Sequence, residues 1–395
     1  MQGRAVYLVA GRRTPIGRYG GALAKVRADD LAAHPMKALV AELPGVDWEA
    51  VDEVVYVCAN QAGEDNRNVA RMAVLLAGLP VEIPGATVNR LCGSGMEAVG
   101  DAARAIAAGE ADICLAGGSE SMTRAPFVVA RSAEPFPRAL DLADTRLGWR
   151  LVSPRMQEMY PPIALGETAE NVAGRYGITR ERQDEWALRS HQLAAAARDA
   201  GRFDAEIVPV SERPGFCQDE GINAALTAVD LAAKKPAFRK GGTVTGGNSS
   251  PLNDGAAALL LMSGDTVRRA GLTPLARYVG SAAAGVHPDY MGIGPVPAMH
   301  KALGRAGWRL EEVDLIEVNE AFAAQSVAVT DELKCDPGLV NVNGGAIAIG
   351  HPLGCSGARI ITTLLHEMRR RGAARGAATM CIGVGQGIAS LWEAA

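Results

Sequence analysis

The chain has 395 residues, 48% of them hydrophobic, with 40 Lys and Arg against 44 Asp and Glu for a net charge of −4. That apolar share excludes a disordered chain, and the 46 glycines follow no period of three, which excludes a collagen-like fibre. No basic block interleaved with aromatics offers a footprint for a nucleic-acid backbone, so no nucleic-acid partner is expected.

No apolar run approaches the ~20 residues of a membrane span. Met1 leads directly into the strand-like run Ala5–Ala10 with no leader pattern, so a cytoplasmic protein without a membrane partner is expected. The 7 cysteines are odd in number, scattered and without a Cys-x-x-Cys pair, which argues against a disulfide framework and a zinc knuckle.

In chain order, short apolar runs at Ala5–Ala10, Glu53–Cys58, Ala86–Asn89 and Ala111–Ala116 alternate with helical patterns at Asp30–Leu43, Asn68–Leu76 and Gly95–Ala108. Crossovers of this kind predict a mostly parallel sheet with helices on its faces. From Ser119 to Ser249 the rhythm breaks into a Pro-, Arg- and Gly-rich stretch with two helices, the second over Arg180–Ala200, and so long an excursion reads as an inserted subdomain. An apolar run at Ala256–Met262 closes the first series. The second runs through Ala276–Ala284, a helix near Pro297–Ala306, Leu315–Val318, a helix from Ala321, Leu339–Val342, a helix from Leu353, Ala377–Ile382 and Ile388–Trp392. The two tallies match, which predicts an α/β fold of two duplicated βαβαβαββ halves. The expected parts are residues 1–119 plus 250–271, the insertion 120–249, and residues 272–395.

Ligands of open α/β sheets lie beyond the carboxyl ends of the strands, where helix N-termini expose free amides. Four segments fall at such places. Asn89-Arg-Leu-Cys92-Gly-Ser-Gly95 puts a cysteine before a helix, where the macrodipole favours a thiolate; a buried structural cysteine is the alternative. Asn341-Val-Asn-Gly-Gly-Ala-Ile-Ala-Ile-Gly-His351-Pro-Leu-Gly-Cys-Ser-Gly357 occupies the same place in the second half and offers a general base, or else a hydrogen-bonded turn histidine. A zinc site through His351 and Cys355 lacks further spaced ligands, so no metal is expected. Val318-Asn319-Glu-Ala-Phe322 carries an amide that serves either as a helix cap or as a holder of a water or oxyanion. Cys381-Ile-Gly383-Val-Gly385-Gln-Gly387 is no phosphate loop, because a strand and not a helix follows it.

Two cysteines and one histidine suit carbon–carbon bond chemistry on a thioester. One thiolate accepts an acyl group after the histidine takes its proton, and the other thiol exchanges a proton with the α-carbon of a second acyl group.

At these residues the sequence resembles the thiolase family over nearly the whole chain, from Arg13-Thr-Pro-Ile-Gly17 to Gly387. The resemblance implies a five-layer α-β-α-β-α core, with the insertion carrying the coenzyme A site and the contacts of a homotetramer built as a dimer of dimers. It implies that Cys92 is the nucleophile, His351 its activator, Asn319 the holder of an oxyanion-hole water and Cys381 the α-proton acid/base. The first oxyanion hole is then formed with His351 and Asn319, and the second with the amides of Cys92 and Gly383. Ser250 matches the serine that meets the pantetheine arm, and Met291, Phe322 and Leu165 match the acyl pocket, with plain core packing the alternative for Met291. Coenzyme A and acetyl-CoA are expected as substrates, with no permanently bound cofactor.

Some positions depart from the family pattern. The stretch Glu220-Gly-Ile-Asn223-Ala-Ala-Leu-Thr227 lacks the arginine that often meets the coenzyme A nucleotide, and Asn223 cannot supply a guanidinium fork. Ala164-Leu165-Gly166 replaces the His-Met pair of acetoacetyl-CoA enzymes, while Gly63–Arg71 and Asp144–Trp149 resemble the 3-oxoadipyl-CoA subgroup. The expected activity is thiolysis of 3-oxoadipyl-CoA or a short-chain 3-oxoacyl-CoA, or the reverse Claisen condensation. A decarboxylating condensing enzyme of the same fold is the alternative, disfavoured because such enzymes carry histidine or asparagine at the place of Cys381. A non-catalytic lipid carrier of thiolase-like shape would be expected to lack one of the four reactive groups.

Overall fold

The computed structural model describes residues 3–132 and 134–395. Its principal strands are β1 (Val6–Arg13), β2 (Glu53–Val57), β3 (Ile113–Ser121), β4 (Asn253–Ser263), β5 (Ala276–Gly285), β6 (Leu315–Val318), β7 (Arg375–Ile382) and β8 (Gln386–Ala394). The helices that matter here are α1 (Ala28–Glu42), α2 (Val69–Leu76), α3 (Ser94–Ala108), α4 (Leu165–Tyr176), α5 (Arg180–Asp199), α6 (Pro295–Ala306), α7 (Ala323–Leu333) and α8 (Leu353–Arg371).

The strands form one sheet in the order β6-β7-β8-β5-β1-β4-β3-β2, with the two-residue strand Gly85–Ala86 beyond β2. Only Tyr7↔Arg277 and Leu8↔Ala276 join β1 to β5, so the sheet is two halves linked by a short seam. Within each half the order is the same. The first strand lies beside the last, then come the penultimate and the second strand, and at the edge stands Gly85–Ala86 in one half and the single bridge Ile316↔Val340 in the other.

Alternation along the strands sets the layers, because successive side chains point to opposite faces. Val55 and Val57 of β2 and Ala378 and Met380 of β7 share one core with Met96, Val99, Ile360 and Leu364 of α3 and α8, which therefore lie between the halves. Val54 and Tyr56 face α1 and α2 instead. Ala377, Cys381 and Leu391 face α6 and α7. Helices, half-sheet, two helices, half-sheet and helices make five layers.

The sheet is mixed and not mostly parallel. Among the strands named, β2 pairs in parallel with β3 and with Gly85–Ala86, and β6 with β7, the edge bridge Ile316↔Val340 being parallel as well, whereas β4 and β8 run antiparallel to both neighbours. The cause is the connection: β8 follows β7 through a tight turn at Gly383–Gly385, and a hairpin delivers only an antiparallel strand. The strands expected at Ala86–Asn89 and Leu339–Val342 shrink to Gly85–Ala86 and to isolated bridges. At Asn341, whose φ is +48°, the side chain replaces the ladder: its Oδ1 accepts from Val318 N–H at 2.8 Å and its Nδ2 donates to Val318 C=O at 2.8 Å.

The segment from Met122 to Ser250 holds α4, α5 and a ribbon of Phe127–Val129 paired with Leu142–Asp144. α5 docks on the second half through Trp186, whose indole N–H donates to Glu320 Oε1 at 3.0 Å. No helix among the described residues is long and apolar enough to cross a membrane.

Candidate active site

The turn before α3 is built by Asn89. Its Oδ1 accepts from Leu91 N–H at 2.8 Å and its Nδ2 donates to Ala59 C=O at 2.9 Å. This Asx turn holds Leu91 at φ +47°, a conformation a leucine rarely adopts, and so sets the backbone angle from which Cys92 emerges. Ser94 then ties the turn by donating to Leu91 C=O at 2.6 Å and accepting from Arg90 N–H at 2.8 Å. α3 passes α8 with backbones nearly touching: a Cβ on Gly95 would lie 2.7 Å from Gly354 C=O. Close approach of these helix starts brings the Cys92 turn against the His351 turn.

His351 is fixed at three points. Its N–H donates to Asn253 Oδ1 at 2.9 Å, and its Nδ1 lies 2.6 Å from Ser356 Oγ. Ser356 gives its own hydroxyl proton to Pro352 C=O at 2.8 Å, so it accepts from Nδ1–H and leaves Nε2 with the lone pair. Asn319 Nδ2 lies 3.4 Å from that Nε2, and Asn319 Oδ1 is buried with no protein partner among the described residues.

Burial governs the protonation states. It pushes the Cys92 thiol up to about 11, against the opposing pull of a hydrogen bond from Gly383 N–H. It raises Cys381 as well, with Cys92 as a second cause. His351 is pushed down to about 3 by burial and by the positive charge of Arg359. The resting site therefore holds two neutral thiols and a neutral imidazole.

Cys92, His351 and Cys381 line one cavity of about 440 Å³ together with Leu165, Ser250, Met291 and Phe322. Ser250 Oγ donates to Ala321 C=O at 3.1 Å. A second cavity of about 370 Å³ also reaches Cys92 and is lined by Gly383, Asn60 and Arg150 among others. Asn319 stands beside His351 and lines neither, and Asn223 lies outside both, its N–H donating to His191 Nδ1 at 3.2 Å. Among the described residues no group of three or more His, Cys, Asp or Glu could hold a metal ion.

Sequence reasoning missed Ser356, Asn253 and Glu320. Glu320 accepts from Trp186, Ser190, Asn341 and Ile347, and so clamps the Asn319 turn to α5 and to the loop before His351. Its only sequence signal is its place inside Asn319-Glu-Ala-Phe322.

Residues 6–265 match the thiolase N-terminal domain model and residues 272–394 the thiolase C-terminal domain model. The chain belongs to the thiolase family. It is 54% identical over 393 residues to a beta-ketoadipyl-CoA thiolase of Pseudomonas putida, covering 98% of each chain. It is 52% identical to the 3-oxoadipyl-CoA/3-oxo-5,6-dehydrosuberyl-CoA thiolase of Escherichia coli, covering 99% of each. Among solved thiolase structures, the acetyl-CoA acetyltransferase of Bacillus anthracis superposes with a TM-score of 0.93 at 44% identity, covering 100% of both chains. The human mitochondrial 3-ketoacyl-CoA thiolase in complex with CoA gives 0.93 at 42% identity, covering 99% of this chain and 98% of the other. This thiolase is accordingly an acyltransferase of mixed α/β architecture.

Proposed function

We propose that this thiolase cleaves 3-oxoadipyl-CoA with coenzyme A, giving acetyl-CoA and succinyl-CoA through an acyl-Cys92 intermediate. The observation that carries the reading is the meeting of Cys92, His351 and Cys381 in one cavity; the names and identities of the relatives support the choice of substrate.

Cys92 Sγ attacks the 3-keto carbon while His351 Nε2 takes its proton. Because burial disfavours both the thiolate and the imidazolium, the proton moves as the carbon–sulfur bond forms and not beforehand. The C2–C3 bond breaks, the acetyl-CoA enolate is held by His351 and a water on Asn319, and Cys381 supplies the proton to the α-carbon. Coenzyme A then attacks the acyl-Cys92 thioester as its thiol proton passes to the Cys381 thiolate, the N–H groups of Cys92 and Gly383 receive the tetrahedral oxyanion, and its collapse expels Cys92, which recovers its proton from His351. Ser250 sits against the pantetheine arm, and Met291, Phe322 and Leu165 line its reacting end. Asn223 leaves the coenzyme A nucleotide without a guanidinium at that position. Residues 120–249 form an inserted unit that brings Leu165 and Asn223 to the coenzyme A site, while Ser250 comes from the half made of 1–119 plus 250–271, and Met291 and Phe322 from the half made of 272–395.

The same insertion exposes Phe127, Val129, Phe136, Leu140 and Leu142, an apolar surface that supports assembly as a homotetramer; the cytoplasm is the compartment this reading assigns. A decarboxylating condensing enzyme has no use for a second thiol at Cys381.

The test is a thiolysis panel of acetoacetyl-, 3-oxohexanoyl- and 3-oxoadipyl-CoA, followed by loss of the 3-oxoacyl enolate absorbance. Cleavage with a preference for 3-oxoadipyl-CoA is expected, and failure to cleave any of the three removes the reading.

A further inference from the structure

The cavity of about 370 Å³ is open to Cys92 but not to His351 or Cys381, neither of which lines it. Chemistry at the α-carbon therefore belongs to the other cavity, and this one is left for whatever Cys92 holds. Its size suits a small ligand. Its wall contains two guanidinium groups, from Arg146 and Arg150, and no carboxylate side chain.

The two arginines are in different states. Arg146 is committed, with Nε donating to Asp144 Oδ2 at 2.6 Å and Nη1 to Tyr19 Oη at 2.7 Å, so its charge is already met. Arg150 is half-buried and makes no hydrogen bond or ion pair with any described residue. The Asn60 amide is also spent, its Nδ2 donating to Thr145 Oγ1 at 2.8 Å. Among the described residues, Arg150 is thus the cation of this wall with its full set of donors free.

We infer that this cavity receives the acyl group retained on Cys92 and that Arg150 pairs with a carboxylate at the far end of that group, selecting 3-oxo-dicarboxylic acyl-CoA substrates. The inference rests on the reading of Cys92 as acyl acceptor. After cleavage of 3-oxoadipyl-CoA the group on Cys92 is a succinyl thioester, whose carboxylate is separated from the thioester carbonyl by two methylenes. A guanidinium matches a carboxylate with two parallel hydrogen bonds, whereas a methyl terminus in the same place would cover Arg150 without satisfying it. Both effects act in the same direction on selectivity.

The test compares kcat/KM for 3-oxoadipyl-CoA and 3-oxohexanoyl-CoA, equal in chain length and differing in the terminal carboxylate. In the full-length wild-type enzyme the ratio is expected to favour the diacid. Arg150→Gln is expected to lower that ratio about 10- to 100-fold, as loss of a charge-assisted hydrogen bond predicts, and Arg150→Lys to restore part of it. As a check that needs no variant, wild-type Cys92 is expected to be acylated faster by succinyl-CoA than by butyryl-CoA, read by intact-protein mass. A diacid preference that Arg150→Gln leaves within about twofold removes Arg150 while the thiolase reading stands. A wild-type enzyme that cleaves both substrates without preference, or acylates equally from both thioesters, removes the carboxylate subsite. Failure to cleave either substrate removes the thiolase reading and this inference with it.

Discussion

His351 Nδ1 and Ser356 Oγ stand 2.6 Å apart across the first turn of α8, and Ser356 in turn donates to Pro352 C=O. One hydroxyl proton thus decides which imidazole nitrogen can act as a base. With Nδ1–H held by Ser356, the free electron pair is on Nε2, beside Asn319.

Ser356→Ala is therefore expected to lower kcat for thiolysis about tenfold with little change in KM, since one neutral hydrogen bond fixes the tautomer. The same variant should move the acidic limb of the kcat pH profile, and Ser356→Thr should recover most of the rate. A tenfold loss that appears in KM alone would contradict a role in fixing the tautomer.

Buried as a neutral thiol near 11, Cys92 should react with iodoacetamide at a rate that climbs about tenfold per pH unit from pH 7 to 10, because only the thiolate attacks. Cys217 is exposed, so modification has to be followed site by site by peptide mass. A Cys92 rate that levels off below pH 8 would point to a preformed thiolate–imidazolium pair and overturn the neutral resting state.

The two thiols should fail differently when removed. Cys92→Ala is expected to abolish acyl-enzyme formation from acetyl-CoA, whereas Cys381→Ala should still take up the acyl group yet lose exchange of the α-protons of acetyl-CoA with deuterated water. Acylation by radiolabelled acetyl-CoA and proton exchange by NMR separate the two, and equal acylation defects would contradict the division of roles.

Much of this arrangement was legible from hydrophobic periodicity. Leu315–Val318 was read to the residue, and the helix after Cys92 to within one, because their apolar spacing reflects burial on a sheet or helix face. What escaped is carried by side chains standing in for backbone. Leu339–Val342 reads as a strand, yet the Asn341 amide takes the ladder bonds that a strand would have made. The antiparallel course of β4 and β8 depends on where each connection returns, which apolar spacing does not encode. Ser356 lies five residues after His351 in the same segment, but its bond to His351 exists only after the Pro352 turn has folded. The free state of Arg150 depends likewise on Asp144 and Tyr19 having engaged Arg146.

Acid should weaken the fold through two buried histidines. His351 is held near 3 by burial and Arg359, and His191 near 4 by burial and Arg18, against about 6.5 in an unfolded chain. Between those values the unfolded chain binds protons that the folded one does not, so each histidine takes away up to about 1.4 kcal/mol of stability per pH unit as pH falls below about 6.5, against the opposite contribution of buried Glu317, whose carboxyl is pushed up to about 8. Calorimetric Tm values for wild type and His191→Asn between pH 7.5 and 4.5 test the sign: the variant should show the shallower decline. A steeper decline in the variant would mean that His191 is charged in the fold.

Glycine is required where α3 crosses α8. A Cβ on Gly357 would lie 2.3 Å from Met96 N and 2.9 Å from Met96 Cβ, and the first of these atoms is backbone that cannot swing aside. Gly357→Ala should therefore force the helices apart at a cost of about 1–3 kcal/mol in unfolding free energy. Since the starts of these helices carry Cys92 and His351, kcat should fall along with stability. Gly45→Ala, where a Cβ meets nothing within 4 Å, should stay within about 0.5 kcal/mol of wild type. Urea unfolding of the two variants, with thiolysis rates measured alongside, reads both effects, and equal stability would show that the crossing has slack the close contact does not suggest.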